Sequence, residues 1–482
     1  MQLRFVRQGF GLILVVAILM ALFVGGVMAS EKDESTSVVG SGDPVLRVGV
    51  FNVDVTPPIG SPLAYDTMTW VDKPLTARGV VICGDGYPVV LCAVDWIGIG
   101  NEGQSAWKQA LAEAAGTTPQ RVVVHTLHQH DAPVCDFSIY KILFEYGLHG
   151  NFMDPVFARQ SIARCASGVQ EAVRNARPVT HIGFGDGIVE DVASNRRLLG
   201  EDGKVRATRW TATADPDLRS APVGIIDPRV SLMSFWDGEN PVAVLTFYAT
   251  HPQSYYRTGG ASPDFPGLAR EMRETHLQGV PHIHFAGAGG NIGAGKWNDG
   301  SPDNRIQLAI KLAKGMAQAW ENIKKVPVAA ADLDWATMEV PMPVAPHIQE
   351  KSMRAILGDE EQSGLARQNA AAHLAWLNRS AGSDREVIGH ISRLRIGEAS
   401  LLFLPGEAVV EYQLEARLAA GDQFVATAAY GDYGPGYICL TEHYAQGGYE
   451  SSPGASRVAP EIQKEFFSAI RRLVGTSDSS QR

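Results

Sequence analysis

The chain of 482 residues has little cysteine, no excess of positive charge and none of the compact catalytic motifs. Its five cysteines, Cys83, Cys92, Cys135, Cys165 and Cys439, are odd in number and widely spaced. That excludes a Cys-x-x-Cys zinc site and a dense disulfide framework, and leaves room for one bridge in an oxidising compartment. A chain this long needs none, because it can bury a sufficient core. The 42 Lys and Arg against 52 Asp and Glu give a formal charge of −10, so the basic face of a nucleic-acid-binding protein is missing. There is no repeat of fixed period, and the 50 glycines are scattered among turn signals rather than gathered in one tract. Neither a Gly-x-Ser-x-Gly elbow nor a His-Glu-x-x-His helix occurs. The run "GAGGNIGAG" follows a strand pattern, but no helix opens at once and no acidic partner is placed for a ribose, which argues against a dinucleotide site.

What is present begins with a leader. Arg4 and Arg7 precede the apolar stretch "GFGLILVVAILMALFVGGVMAS", which ends in the small-residue junction Val27-Met28-Ala29. This is the pattern of a signal peptide cleaved near Ala29. The stretch is also about as long as a membrane-spanning helix, roughly 20 residues, so an uncleaved anchor holding the protein at a membrane is the alternative. No cysteine follows it, which excludes a bacterial lipoprotein. The expected layout is a signal peptide or anchor over 1–29, a flexible linker over 30–44, one exported folded body over 45–475 and a polar tail over 476–482.

Within the body, strand and helix patterns alternate. "ARGVVICGDGYPVVLCAVDW", "VSLMSFWDGENPVAVLTFYATH" and "HISRLRIGEASLLFLPGE" each read as a hairpin, and the first two turn at Gly-Asp-Gly and Asp237-Gly238. "EGQSAWKQALAEAAG", "DPVFARQSIARCASGVQEAVRNARP", "NRIQLAIKLAKGMAQAWENI" and "PEIQKEFFSAIRRLV" read as helices. Another helix is expected to open with Asp264 as N-cap and Pro266 in its first turn. "GLARQNAAAHLAWLN" reads as a helical excursion over the body. Hairpins mixed with strand–helix–strand units predict an α/β fold: a mixed sheet, or two packed sheets, flanked by helices in a single large domain.

The polar residues fall where α/β folds place ligands, beyond the carboxyl ends of strands. "VVVHTLHQHDAP" carries three histidines at the end of an apolar run. His128 and His130 follow "VVVHTL", His251 follows "VAVLTFYAT", Asn291 lies beyond "HIHFAG", Glu407 follows "LLFLPG", and Tyr433 and Tyr437 lie beyond "FVATAAY". Asp95 closes "VVLCAV". On extended backbone His128 and His130 point to one side, so both can face one site, and His125 points to the other. Imidazoles with a carboxylate are typical zinc ligands, and zinc brings the pKa of a coordinated water to about 7. The bland alternatives are core histidines satisfied by backbone, a glutamate capping the helix it precedes, and a packing tyrosine.

Several of these segments, taken in order, resemble the catalytic domain of the neutral/alkaline non-lysosomal ceramidases. "FNVDVTPPIGSPLAY" is similar to that domain's opening. "HQHDAP" and "ATHPQS" are similar to its two histidine segments, "SNRRLL" to an Asn-Arg segment, "LPGE" to its glutamate turn, and "GYICLTEHYAQGGYES" to its tyrosine segment. The resemblance runs from about residue 47 to about 455. It implies a zinc ion held by His128, His251, Glu407 and Tyr437, with His130 and Arg196 as catalytic groups beside it and Asn291 facing the substrate. Two departures stand out. The family's catalytic loop carries a serine, whereas "GNIGAGKWND" has none and Lys296 falls near its place. The family continues into an immunoglobulin-like domain, whereas this sequence stops soon after the tyrosine segment. The expectation is therefore a zinc-dependent hydrolase of a linear amide, its substrate a small or lipid-like N-acyl compound with Lys296 binding an anionic part. A zinc hydrolase of an ester or another amide, and a catalytically silent binding protein of the same fold, are the alternatives.

Overall fold

The computed structural model describes residues 45–380 and 385–475. The leader, the linker and the polar tail lie outside the described residues. Each hairpin seen in the sequence starts a sheet, and each is followed by a helix and a strand parallel to its second arm. Thr76–Cys83 and Val89–Val94 pair antiparallel, helix Asn101–Ala115 follows, and Val122–Thr126 returns parallel to Val89–Val94. Arg229–Asp237, Asn240–Tyr248, helix Asp264–His276 and His282–Ala286 repeat the plan. So do Glu386–Ile396, Ala399–Phe403, helix Val410–Ala420 and Phe424–Ala428. Outer antiparallel strands, among them Arg47–Asp54, His181–Ile188 and Leu333–Pro343, widen the three sheets.

The three sheets share one apolar core. Val80, Leu91 and Val123 of the first meet Met233, Leu245 and Phe285 of the second and Leu394, Leu401 and Ala426 of the third. Each Val, Leu, Met or Phe side chain among them, fully buried, contributes about 1.5–3 kcal/mol. Strands Val89–Val94, Val122–Thr126, His282–Ala286 and Ala399–Phe403 are buried along their whole length, as parallel strands covered on both faces must be. Helices Pro155–Arg174 and Pro302–Glu321 lie against strands Arg47–Asp54 and His181–Ile188, on the outer faces of the first two sheets. The mixed α/β architecture is as expected, with three principal sheets rather than one or two.

Two local readings need correction. The helix expected to be capped by Asp264 has Pro263 at its N-cap; Asp264 is its first residue, in a left-handed conformation (φ 49°). Its carboxylate accepts from the Ser254 amide (3.0 Å) and hydroxyl (2.8 Å) as well as from the Phe265 amide (2.6 Å), so it ties the neighbouring loop to the first turn of the helix. Helix Gly364–Leu377 is no surface excursion, since Ala370, Leu374 and Trp376 are buried in the core. Cys83, Cys92, Cys135, Cys165 and Cys439 are all free thiols. Among the described residues, no helix is long and apolar enough to cross a membrane.

Burial of imidazoles sets the acid response of the fold. Burial pushes His125, His282 and His443 down to about 4, and His284 and His373 to about 3. A histidine held neutral in the folded state stabilises fully above the unfolded value near 6.5, and that stability is lost as pH falls toward the folded value. At about 1.4 kcal/mol per unit, His125 and His282 each lose roughly 3 kcal/mol on this path. Burial raises Asp131 to about 6 and Asp136 to about 7. A buried acid of that kind stabilises on protonation, so these two oppose the trend but are outnumbered. The melting temperature should therefore fall steadily from pH 6.5 to 4.5, in chelator as well as in buffer. A flat or rising Tm across that interval would contradict this assignment.

Candidate metal centre

The carboxyl ends of the central strands converge, and four side chains meet there. His128 Nε2 and His251 Nε2 each lie 3.2 Å from Glu407 Oε2, and His251 Nε2 lies 3.1 Å from Tyr437 Oη. The two imidazole nitrogens and the carboxylate oxygen all fall within 4.8 Å of one another, and all three residues are buried. The backbone explains the meeting. The His251 amide donates to Ile292 O (3.0 Å) just past strand Asn240–Tyr248. Glu407 and Tyr437 are register partners in a two-residue parallel pair, which sets their side chains next to each other. Gly290 passes so close that an added Cβ would sit 2.4 Å from Glu407 O. The glycine-rich run thus lets one loop press on the next.

Hydrogen bonds fix the tautomers. His128 Nδ1 donates to Ile97 O at 2.6 Å, and His251 Nδ1 donates to Gly289 O at 2.7 Å. A carbonyl can only accept, so the proton sits on Nδ1 and the Nε2 lone pair points at Glu407. Two nitrogen lone pairs and a carboxylate oxygen therefore face each other at hydrogen-bond distance, with a single phenolic proton among them. A cation resolves this, and backbone carbonyls on the far ring nitrogens are the usual support of metal-ligating histidines. Burial, with Arg196 adding to it, pushes His251 down to about 4, which keeps its ring neutral and competent to ligate. The donor set fits a metal ion.

His128 reaches this point differently from the reading by strand alternation. Strand Val122–Thr126 has ended, and His128 adopts a left-handed φ of 68° with its amide bonded to Trp96 O. His128 and His130 share the cleft because the chain kinks, at the cost such a conformation carries for a non-glycine residue. His130 stands over the site, its ring 5.5 Å from that of His128. Burial, together with His128 and His251 beside it, holds His130 well below the ordinary imidazole range, and its buried Nδ1 has no partner. His125 points away, donating from Nδ1 to Ala429 O at 2.6 Å and packing on Phe285 and Phe403.

Arg196 lines the same cleft, and its hydrogen bonds make it an orienting group. It donates to Tyr437 Oη (3.2 Å), Gly290 O (2.7 Å) and Glu450 Oε1 (3.2 Å). Glu450, fully buried, also pairs with Arg197 at 3.1 Å. Two other expected residues are elsewhere. Asn291 is buried and engaged, accepting from the Val410 amide and donating to Glu411, so it ties loop to helix and does not face the cleft. Lys296 donates its ammonium to Arg219 O (2.6 Å) and Ala221 O (2.7 Å), outside the cleft. Asp95 holds Arg270 through two bonds of 2.9 and 2.8 Å, a buried structural pair.

The cleft above the centre has a volume of about 370 Å³. Its walls include Tyr65, Trp210, Gln253, Tyr256, Arg257, Tyr433 and Tyr449, most of which sequence reasoning did not single out. The run "SYYR", beginning three residues after His251, was the available signal. Ser254 also lines the cleft, but its hydroxyl donates to Asp264 and accepts from Arg305 Nε (2.8 Å). No histidine activates it, so it is not a nucleophile of the serine-hydrolase kind.

No family model and no curated protein matches this chain. Solved structures do. Neutral ceramidase from Pseudomonas aeruginosa matches with a TM-score of 0.64 and 20% identity over 90% of this chain and 74% of that one. A ceramidase complexed with C2 matches with a TM-score of 0.62 and 17% identity over 90% and 75%. The class the fold defines is therefore an α/β domain of several helix-flanked sheets. More particularly, it is the neutral ceramidase fold.

Proposed function

We propose that the protein is an exported, zinc-dependent hydrolase of a linear amide. The observation that carries the reading is the His128–His251–Glu407–Tyr437 cluster, with both histidines pinned through Nδ1, at the floor of a cleft in a ceramidase fold. Ligand atoms about 2.0–2.1 Å from a tetrahedral zinc stand roughly 3.3 Å apart, close to the 3.1–3.2 Å contacts here. When bound, the ion supplies Lewis acidity and an activated water for attack on a carbonyl. The protein's own groups do the rest. Arg196 holds the Tyr437 oxygen, Glu450 holds Arg196, and neutral His130 takes up the proton released on attack and returns it to the departing amine. Export rests on the leader, Arg4 and Arg7 before an apolar run ending in "VMAS".

The purified protein should contain about one zinc per chain, as expected for a single mononuclear site. A screen of N-acyl compounds should show amide cleavage that chelation removes and zinc restores. His130→Ala should keep the zinc and lower kcat by roughly two to three orders of magnitude. Undiminished kcat in that variant would remove His130 from the mechanism, and cleavage unaffected by chelation would remove the metal.

A further inference from the structure

We infer that the cleft selects an N-acyl compound whose amine portion is a flat ring ending in a carboxylate, and that Arg257 is the residue that selects it. This rests on the hydrolase reading above and goes beyond it to the class of substrate. The walls come first. Among the described residues no Val, Leu, Ile, Met or Phe side chain lines the cleft, and every aromatic there carries a hydroxyl, an indole N–H or imidazole nitrogens. A long aliphatic chain laid against them would displace water from those groups without returning a hydrogen bond, a net cost. A planar ring stacks on such walls and leaves their polar edges wet.

The charges point the same way. Arg196 is buried and held by Glu450, Tyr437 and Gly290 O, and Glu407 sits at the floor among the histidines. Arg257 stands over the rings of Tyr65 (5.2 Å) and Tyr256 (5.6 Å), and among the described residues it has no ion-pair partner. The acid nearest in sequence to His130 is Asp131, and it holds the backbone of Arg257: Oδ1 accepts from the Arg257 amide at 2.8 Å, and Oδ2 accepts from Thr258 Oγ1 at 2.9 Å. That clamp maintains a left-handed φ of 67° at Arg257, a strain that a non-glycine residue carries only where the surroundings enforce it. The guanidinium is thus set at the mouth with its charge unspent. The rings of Tyr65 and Tyr256, under Arg257, lie with centroids 5.0 and 4.8 Å from that of His130. A substrate whose amide is at the floor and whose anion meets Arg257 would run along these rings, which suits a flat aromatic spacer.

The test compares 4-acetamidobenzoate with 4-acetamidobenzamide, following acetate release by the zinc-loaded protein. The carboxylate should be favoured in kcat/KM by about tenfold or more, mainly through KM, as a charge-assisted contact gives. Arg257→Gln should bring that ratio to within about twofold of one. Equal turnover of both compounds by the wild-type protein overturns the inference and leaves the hydrolase reading standing. A ratio that persists in Arg257→Gln, or faster cleavage of a long-chain ceramide than of either aryl amide, also overturns it. If neither compound is cleaved, the hydrolase reading is judged by the wider N-acyl screen, and binding of 4-aminobenzoate against 4-aminobenzamide by calorimetry decides the inference. Preference for the acid that is lost in Arg257→Gln supports the inference, and no preference defeats it.

Discussion

His251→Ala should release the metal and abolish amide cleavage. In the proposed site the side chain would contribute one of the ligating nitrogens, and it touches two others of the set, Glu407 at 3.2 Å and Tyr437 at 3.1 Å. Without it Glu407 keeps only His128 as a close partner, and a mononuclear site loses most of its affinity. The fold should survive at a cost of about 2–4 kcal/mol, the range for truncating a buried side chain of this size. Metal linkage offers a readout independent of turnover. A ligand that binds only the folded state stabilises it in proportion to RT ln(1 + [L]/Kd), so chelation should lower the melting temperature of the wild-type protein and leave that of the variant unmoved. Stoichiometric zinc in folded His251→Ala would falsify the ligand assignment.

Glu450→Gln should be the most destabilising conservative change near the site. Glu450 is fully buried, and its two oxygens answer two buried guanidiniums, Arg196 at 3.0 Å and Arg197 at 3.1 Å. Breaking a buried pair by neutralising one partner costs about 3–5 kcal/mol, because the remaining charges stay out of water. Arg196 also holds Tyr437 Oη, so the loss should reach the metal and weaken its retention. Glu102→Gln is the control: its pair with Lys141 is solvent-exposed and should be worth no more than about 1 kcal/mol. Denaturant titration of the two variants separates the cases, and equal midpoints would mean that the buried pair contributes no more than the surface one.

Much of the fold could be read from local chemistry. The three hairpins announce themselves because a turn glycine such as Gly238 or Gly397, each at φ 57°, interrupts two apolar runs. Helix Pro155–Arg174 starts where Asp154 accepts from the amides of Val156 and Phe157. These features depend on neighbours within a few residues, and a sequence displays neighbours. The candidate site was legible in part for a related reason. His128, His251, Glu407 and Tyr437 each follow the end of an apolar run, and strand ends in such folds come together, but Asp95, Asn291 and Tyr433 do so too, and it was the family resemblance that chose the four.

What only the tertiary structure decided depends on contacts between distant segments. Asn291 and Lys296 occupy plausible positions in a glycine-rich loop, but Glu411 and the carbonyls of Arg219 and Ala221 claim them first. The left-handed turn at His128 is enforced by Trp96 O, and nothing in "VVVHTLHQHDAP" announces it. Arg196 became an orienting residue only through Glu450, 254 positions away. The aromatic walls and the unpaired Arg257 follow the same rule. Spacing can bring side chains to one end of a sheet, but which of them remain unsatisfied there depends on every other group that arrives.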